Sequence, residues 1–472
     1  MNLKSLLVFT LLSTILLLVS CNKDDDTNNR NTFSPNTVEE NKQAIEEAGI
    51  ALIRGVAQVE KEPAIDVIEA LFFFLELSDP FDHSNIADMQ IAKLRGSYAF
   101  IPNYSLASLN EVGYEGVLKS LAVNPLTDEP ETIQEVYELL VGTYSWNANL
   151  NQWIYEPIGN TIKFKFPSEE SKSGNNASYS INYQGYNGEV SNALSNSYEG
   201  DLPMSVKTSL EVNDLEIMNF NVNITYSTLG LPAGISSRIK LTSSEFIYGA
   251  ENIDNEEAGF SFIFKNNEQL LLKFVLTGEG DWSPDNIENS IHYYQYVISN
   301  NLEFQEVEVS EHDDWDSMDF EVHKVVQGGN SLFQISNIKV EGVVDTEAIG
   351  DEIINMGDVD EMSDSTYWTT ISKTMNENID LSLRFVDSDE IIAIVEAYPV
   401  AKSESYYEYF YDGAWQDNPR LKDYTYYEIS FRFKFADDST IDLEVYFGEG
   451  FEELVTELEK LILELETEEE ID

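Results

Sequence analysis

The chain has 472 residues, with 27 Lys and Arg against 86 Asp and Glu, a formal net charge of −59. Nucleic-acid binding replaces phosphate counterions with Lys and Arg, so that class of partner is excluded, and adsorption to an anionic membrane surface is disfavoured by the same like charge. A hydrophobic fraction of 42% is enough for packed cores, so the expectation is a folded protein of two or three ordinary domains or one large β domain. The acidity reads as a solubilising surface or as one that attracts cations.

At the N-terminus Lys4 is followed by an apolar run from Leu6 to Val19, interrupted only by Thr10, Ser13 and Thr14. That length suits the apolar region of a signal peptide and is short for a membrane span. The run ends Leu18-Val19-Ser20-Cys21, and Cys21 is the only cysteine of the chain, so no intrachain disulfide or thiolate cluster can form. These residues resemble the lipobox of bacterial lipoproteins. The resemblance implies that residues 1–20 are a signal peptide, that the Cys21 thiol accepts diacylglycerol, and that cleavage precedes it. Each buried methylene contributes about 0.8 kcal/mol, so lipid can hold at a membrane a protein whose charge alone would keep it away.

Asn22-Lys23-Asp24-Asp25-Asp26 follows directly. An acidic run in this position resembles the export signal of surface lipoproteins in Bacteroidetes-type bacteria. It implies that Lys23, Asp24, Asp25 and Asp26 are read by lipoprotein export machinery and that the protein is displayed on the outer leaflet of the outer membrane. The alternative is a periplasm-facing lipoprotein in which the run is only a solvated spacer. Residues 21–36 then comprise the lipidated cysteine and a flexible tether rich in Asn, Thr and Ser.

Residues 37–142 read as mostly helical. Thr37-Val38-Glu39-Glu40 has the form of a capping box, followed by Ile45, Ala48, Leu52, Val56 and Val59 at helical spacing. Pro63 opens a second helix, with Ile65, Ile68, Phe72 and Leu75 on one side, ended by Ser78-Asp79-Pro80. Residues 80–127 are mixed. A third helix follows Pro130, with Ile133, Val136, Tyr137 and Leu140 as its stripe and Gly142 at the expected cap.

From Thr143 to residue 448 the period becomes two. Tyr144 and Trp146 answer Trp153 and Tyr155 across Asn147-Ala148-Asn149, and Ile162, Phe164 and Phe166 alternate with lysines. Val206 to Val212 and Phe220 to Tyr226 flank Asn213-Asp214. Three further hairpins share the pattern. Phe260, Phe262 and Phe264 lead through Lys265-Asn266-Asn267 to Leu270, Leu272 and Phe274. Leu381, Leu383 and Phe385 lead to Ile391–Val395. Phe431, Phe433 and Phe435 lead to Ile441, Leu443 and Val445. Residues 449–472 form an amphipathic helix with Leu454, Leu458, Leu461 and Leu465 on one face, ending in an acidic tail. The predicted class is α+β, mainly β: a large antiparallel meander sheet, as an open barrel or a sandwich, with N-terminal helices and a C-terminal covering helix.

The sequence has no Gly-x-Ser-x-Gly, no Gly-rich phosphate loop and no His-Glu-x-x-His, and its four histidines are His83, His292, His312 and His323. No catalytic residue and no cofactor is assigned. Asp313, Asp314, Asp316 and Asp319 could together ligate a hard cation, but they lack the Gly-containing spacing of a calcium loop, and in a chain with 86 acidic residues such a cluster is expected by chance. Tyr407, Tyr409 and Trp415, with Tyr424, Tyr426 and Tyr427 beyond, could stack on a sugar or could be ordinary strand packing. The expected role is therefore a non-catalytic binding or structural one for a membrane-anchored surface protein. A carrier of a lipid or other apolar ligand in a curved sheet, and a glycan-binding or glycan-active protein, are the alternatives. A dry apolar cavity would favour the first and an exposed line of aromatic rings the second.

Overall fold

The computed structural model describes residues 32–81, 133–195, 202–253, 255–288, 326–355, 364–408, 420–448 and 450–469. Helices α1 (Val38–Val59), α2 (Pro63–Leu77) and α3 (Ile133–Leu140) precede the strands. The strands are β1 (Gly142–Asn147), β2 (Gln152–Glu156), β3 (Ile162–Phe166), β4 (Ala177–Gly185), β5 (Pro203–Val212), β6 (Leu215–Tyr226), β7 (Pro232–Leu241) and β8 (Ser244–Ile253), with the short helix α4 (Asn192–Ser195) between β4 and β5. They continue as β9 (Glu257–Asn266), β10 (Gln269–Gly280), β11 (Val326–Ile335) and β12 (Ile338–Asp345). After helices α5 (Thr346–Asn355) and α6 (Asp364–Asn378) come β13 (Ile379–Phe385), β14 (Ile391–Glu408), β15 (Arg420–Lys434) and β16 (Thr440–Asp442). Helices α7 (Leu443–Gly448) and α8 (Glu452–Glu469) follow.

The fold is mainly β, with helices before and after a mostly antiparallel sheet, as the change of period predicts. The sixteen strands follow one linear hydrogen-bonded order, β2-β1-β3-β4 and then in sequence to β16. One pair departs from the antiparallel expectation. β1 and β3 run parallel, because the connection after β2 returns the chain to the starting end of β1, where the Gly142 N–H donates to the Thr161 carbonyl at 3.1 Å. Gly142 is therefore the first residue of β1 and not a helix cap. Its φ of +156°, and a Glu156 carbonyl 2.8 Å from where a Cβ would stand, call for glycine there.

The chain divides into two compact units. One comprises Gly55–Leu271 with Trp282–Met318, and the other Met1–Arg54, Leu272–Asp281 and Asp319–Asp472. The core of the first gathers the α3 stripe Ile133, Val136, Tyr137 and Leu140, all as predicted, onto Tyr144, Phe164, Phe166, Leu210 and Phe220. The α2 face is different from the expected one. Ala64, Val67, Ala70, Leu71 and Phe74 are buried, while Ile65, Ile68, Phe72 and Leu75 are only half-buried. Asp66, Glu69 and Glu76 share one exposed side of this helix and the buried residues lie opposite them, so the acidic side marks the face that the spacing of the large apolar residues alone misplaces. Glu62, 2% exposed at the N-cap of α2, accepts hydrogen bonds from the Ser243 backbone N–H at 3.0 Å and hydroxyl at 2.5 Å, which ties the helix start to the β7–β8 turn.

A second correction concerns β10. Its turn from β9 is Asn267-Glu268, with φ +50° and +66°, one residue shorter than the turn expected. Changing the turn length by one shifts every following side chain to the opposite face. Leu271 is accordingly the buried residue of that strand, in place of Leu270 and Leu272, and lies with Phe264 against Gly55 of α1.

The core of the second unit contains Ala48, Ile338, Leu383, Ala393, Val395, Phe433 and Tyr446. The capping box is present as read: the Thr37 N–H donates to Glu40 Oε2 at 2.7 Å, and the Glu40 N–H to Thr37 Oγ1 at 3.2 Å. The last predicted hairpin is shortened. β16 ends at Asp442, and the chain turns helical so that Leu443 and Tyr446, three apart, are buried while Val445 is 59% exposed. Helices α5 and α6 lie inside the stretch read as β; Asp345, whose carboxylate accepts the Ala348 N–H at 2.8 Å, starts the first of them. The C-terminal helix rests on α1. Glu46 accepts the Glu453 and Leu454 N–H groups at 2.9 and 3.1 Å, and Leu454 packs over Gly49 and against the core. Leu461 is buried and Leu458 half-buried. The described residues include the end of the segment read as tether, and there Phe33 forms a parallel bridge to Ile391, with Ser34 N–H to Ile391 O at 2.8 Å and Ile391 N–H to Thr32 O at 2.9 Å.

Gly55 gives the sharpest packing test. A Cβ there would lie 2.0 Å from Leu271 Cδ1, which is itself held in a core position. Alanine gains about 0.5–1 kcal/mol of helix propensity, whereas overpacking costs about 1–3 kcal/mol. Gly55→Ala is expected to lower the unfolding temperature in the native background and to raise it in a Leu271→Ala background. Equal effects in the two backgrounds would refute the contact.

Candidate functional site

β14 and β15 pair antiparallel from Ile394↔Lys434 to Glu408↔Arg420. Neighbouring strands support only the base of this hairpin: β13 pairs with β14 at Ile391–Ile394, and β16 with β15 at Arg432–Lys434. Beyond that base the two strands pair with each other as a ribbon. Residues 401–405 and 421–425 are exposed on both faces, Leu421 and Tyr424 by 60% and 51%. An isolated two-stranded ribbon is marginal in water, so cross-strand side-chain pairs must hold this one.

The outer face supplies them. Opposite positions there are Glu396↔Arg432, Lys402↔Tyr426 and Glu404↔Tyr424. Arg432 Nη2 is 3.2 Å from Glu396 and its guanidinium lies 5.0 Å from the Tyr398 ring centre. Lys402 pairs with Glu428 at 2.9 Å, and this hydrogen bond holds the ammonium above its ordinary pKa. The Tyr426 hydroxyl donates to Glu404 at 3.1 Å; that carboxylate, more than burial, raises its pKa. Tyr424 and Tyr426 present nearly parallel rings, 6.0 Å apart with planes at 16°. The result is a row of tyrosines set among fixed acceptors and a cation, able to stack on a flat apolar face while bonding hydroxyls at its edges.

The inner face at the base is apolar. Val395, Ala397 and Phe431, with Val344, Ile349, Met375, Asn376, Ile379 and Leu381, line a pocket of about 190 Å³ against α5 and α6. Asn376 closes the sheet there. β13 pairing with β14 stops at Ser382↔Ile394, and three residues on, Asn376 Oδ1 accepts the Ala397 N–H at 2.7 Å while its Nδ2 donates to the Ala397 carbonyl at 2.8 Å. One amide side chain thus stands in for the missing strand partner.

Of the residues read from the sequence, Tyr407 lies on β14 opposite Leu421. Tyr409 and Trp415 lie outside the described residues, as do Cys21, Lys23, Asp24, Asp25 and Asp26, the acidic candidates Asp313, Asp314, Asp316 and Asp319, and all four histidines. Among the described residues no group of three or more His, Cys, Asp and Glu side chains is placed to hold a metal ion, and no helix is long and apolar enough to cross a membrane. The ribbon brings Tyr424 and Tyr426 together with Glu404, Lys402 and Glu428, which sequence reading passed over. Their signal is positional: alternate residues on two strands, visible only once the hairpin register is known. No family model, curated protein or solved structure matches the chain.

Removing the Asn376 amide leaves both backbone groups of Ala397, a residue 5% exposed, without this partner. Unmade buried hydrogen bonds cost about 1–3 kcal/mol. Asn376→Ala should lower stability by that order and speed hydrogen exchange at the Ala397 amide. An unchanged exchange rate would remove the clamp from the account.

Proposed function

We propose that the protein is a lipid-anchored, surface-displayed binding protein without a catalytic role. The observation that carries this reading is the lipobox-like run ending at Cys21, the sole thiol of the chain, followed at once by Lys23-Asp24-Asp25-Asp26. The anchoring lipid offsets the repulsion that a charge of −59 would meet at an anionic leaflet. Phe33, a short distance in sequence after the proposed lipid attachment site, is bridged to Ile391. Cys21→Ala should abolish incorporation of a tagged fatty acid. Alanine at Lys23, Asp24, Asp25 and Asp26 should preserve labelling but protect the protein from protease shaving of intact cells, which removes the native form. Persistent labelling of the Cys21 variant sinks the anchor; equal shaving of the two labelled forms sinks the export signal.

A second reading, glycan binding at the surface, is favoured by the nearly parallel rings of exposed Tyr424 and half-buried Tyr426 beside Glu404 and Lys402. Taking roughly 1 kcal/mol for each ring contact, Tyr424→Ala with Tyr426→Ala should weaken any glycan interaction about tenfold or more. Affinity electrophoresis through polysaccharide gels measures it. Undiminished retention of the folded double variant excludes the ribbon as the contact.

A further inference from the structure

The pocket at the base of the ribbon has a floor of Val344, Leu381, Val395 and Ala397, all buried. Its one polar side chain, Asn376, already has both its oxygen and its nitrogen engaged by the Ala397 backbone. An ordered water needs roughly two to four polar partners, and this lining has few to offer, so apolar guests compete well against solvent there.

The space has a structural cause. Ala397 is the small residue on a strand face otherwise set by Val395, Phe431 and Phe433, and the pocket begins where its side chain stops. Gly342 fixes the floor from the neighbouring strand. A Cβ at that position would come within 2.6 Å of both the Asp380 carbonyl and Leu381 Cδ1, so the Leu381 side chain fills the place a side chain at 342 would take. Ile349 and Met375, half-buried on α5 and α6, and the more exposed Asn376 form the mouth.

We infer that this pocket binds an apolar group the size of a single benzene ring, presented as a flat ring or as the end of an alkyl chain. Its volume of about 190 Å³ is of the same order as the roughly 150 Å³ of an engineered apolar cavity that takes up benzene. A guest with a polar head would leave that head in water beside Asn376. The inference is independent of lipid attachment at Cys21, and either can fail without the other.

The test is methyl NMR of the full chain carrying ¹³C-methyl methionine, titrated with benzene and, separately, with 1-hexanol to distinguish ring from chain. Met375 reports the pocket, and Met218, 3% exposed in the other core, reports any general effect. The expected result is a saturable shift of the Met375 methyl with at least one probe while Met218 is unmoved. Ala397→Leu, which fills the pocket, and Ile349→Trp, which covers its mouth from a half-buried position, should each weaken the response at least tenfold. If Ala397→Leu perturbs Met218 and so the fold, Ile349→Trp carries the comparison. No saturable shift at Met375, or native affinity in Ile349→Trp, overturns the inference.

Discussion

Strand register is the constraint on which the described structure depends. Side chains alternate faces along a strand, so the length of each turn decides which residues enter a core. Short turns built from residues that tolerate positive φ set it: Asn213 and Asp214 at +51° and +65°, and Asn267 and Glu268 at +50° and +66°. The second of these turns brings Leu271 and Phe264 together under α1, and only a glycine at position 55 lets the helix lie that close. One turn residue more, and Leu271 would face away and the seat for the helix would be lost.

Where the sheet runs out of strands, side chains and the segment just before α1 take over the backbone hydrogen bonds. Asn376 serves Ala397, Thr32 and Ser34 serve Ile391, and Glu62 serves the N–H of Ser243. The polar substitutions fall at the beginnings and ends of elements, where unpaired N–H and C=O groups would otherwise be buried. They also explain how β14 can leave its neighbours and continue as a ribbon. The base is fastened by Asn376 and a core face, and the outer length by cross-strand pairs such as Lys402 with Glu428 and Ser405 with Asp423. That length is free to offer its tyrosines to a partner because no core requires them.

The excess of acid is arranged around the few cations. Arg384, 6% exposed, donates to the Ser382 hydroxyl and the Asp389 carbonyl and lies 3.2 Å from Glu341, while Lys339 reaches both Glu341 and Asp389. Arg238 and Lys265 share Glu245, whose pKa is lowered by them against the opposing effect of burial, which is the larger single influence. Arg432 and Lys434 share Glu396. Cations thus stand in pairs on one or two shared acids at strand faces, leaving many other carboxylates in solvent, where like charge keeps molecules apart.

The sequence alone determined the mainly β class, the helical start and finish, the Thr37–Glu40 cap and the buried stripe of α3, because each depends on spacing within one short segment. It also held the lipobox-like run at Cys21, whose chemistry is local. Only the tertiary structure showed that α2 packs through Ala64 and Ala70, opposite the acidic Asp66, Glu69 and Glu76, because the spacing of its large apolar residues alone favours a neighbouring face. The same holds for the phase of β10, set by a turn one residue shorter than its composition suggested, and for the helical ending at Leu443 and Tyr446, where an aromatic core outweighs strand alternation. The ribbon and its pocket were beyond sequence for the same reason. Tyr424 meets Glu404, and Asn376 meets Ala397, across separations that register and packing close, and no spacing along the chain encodes them.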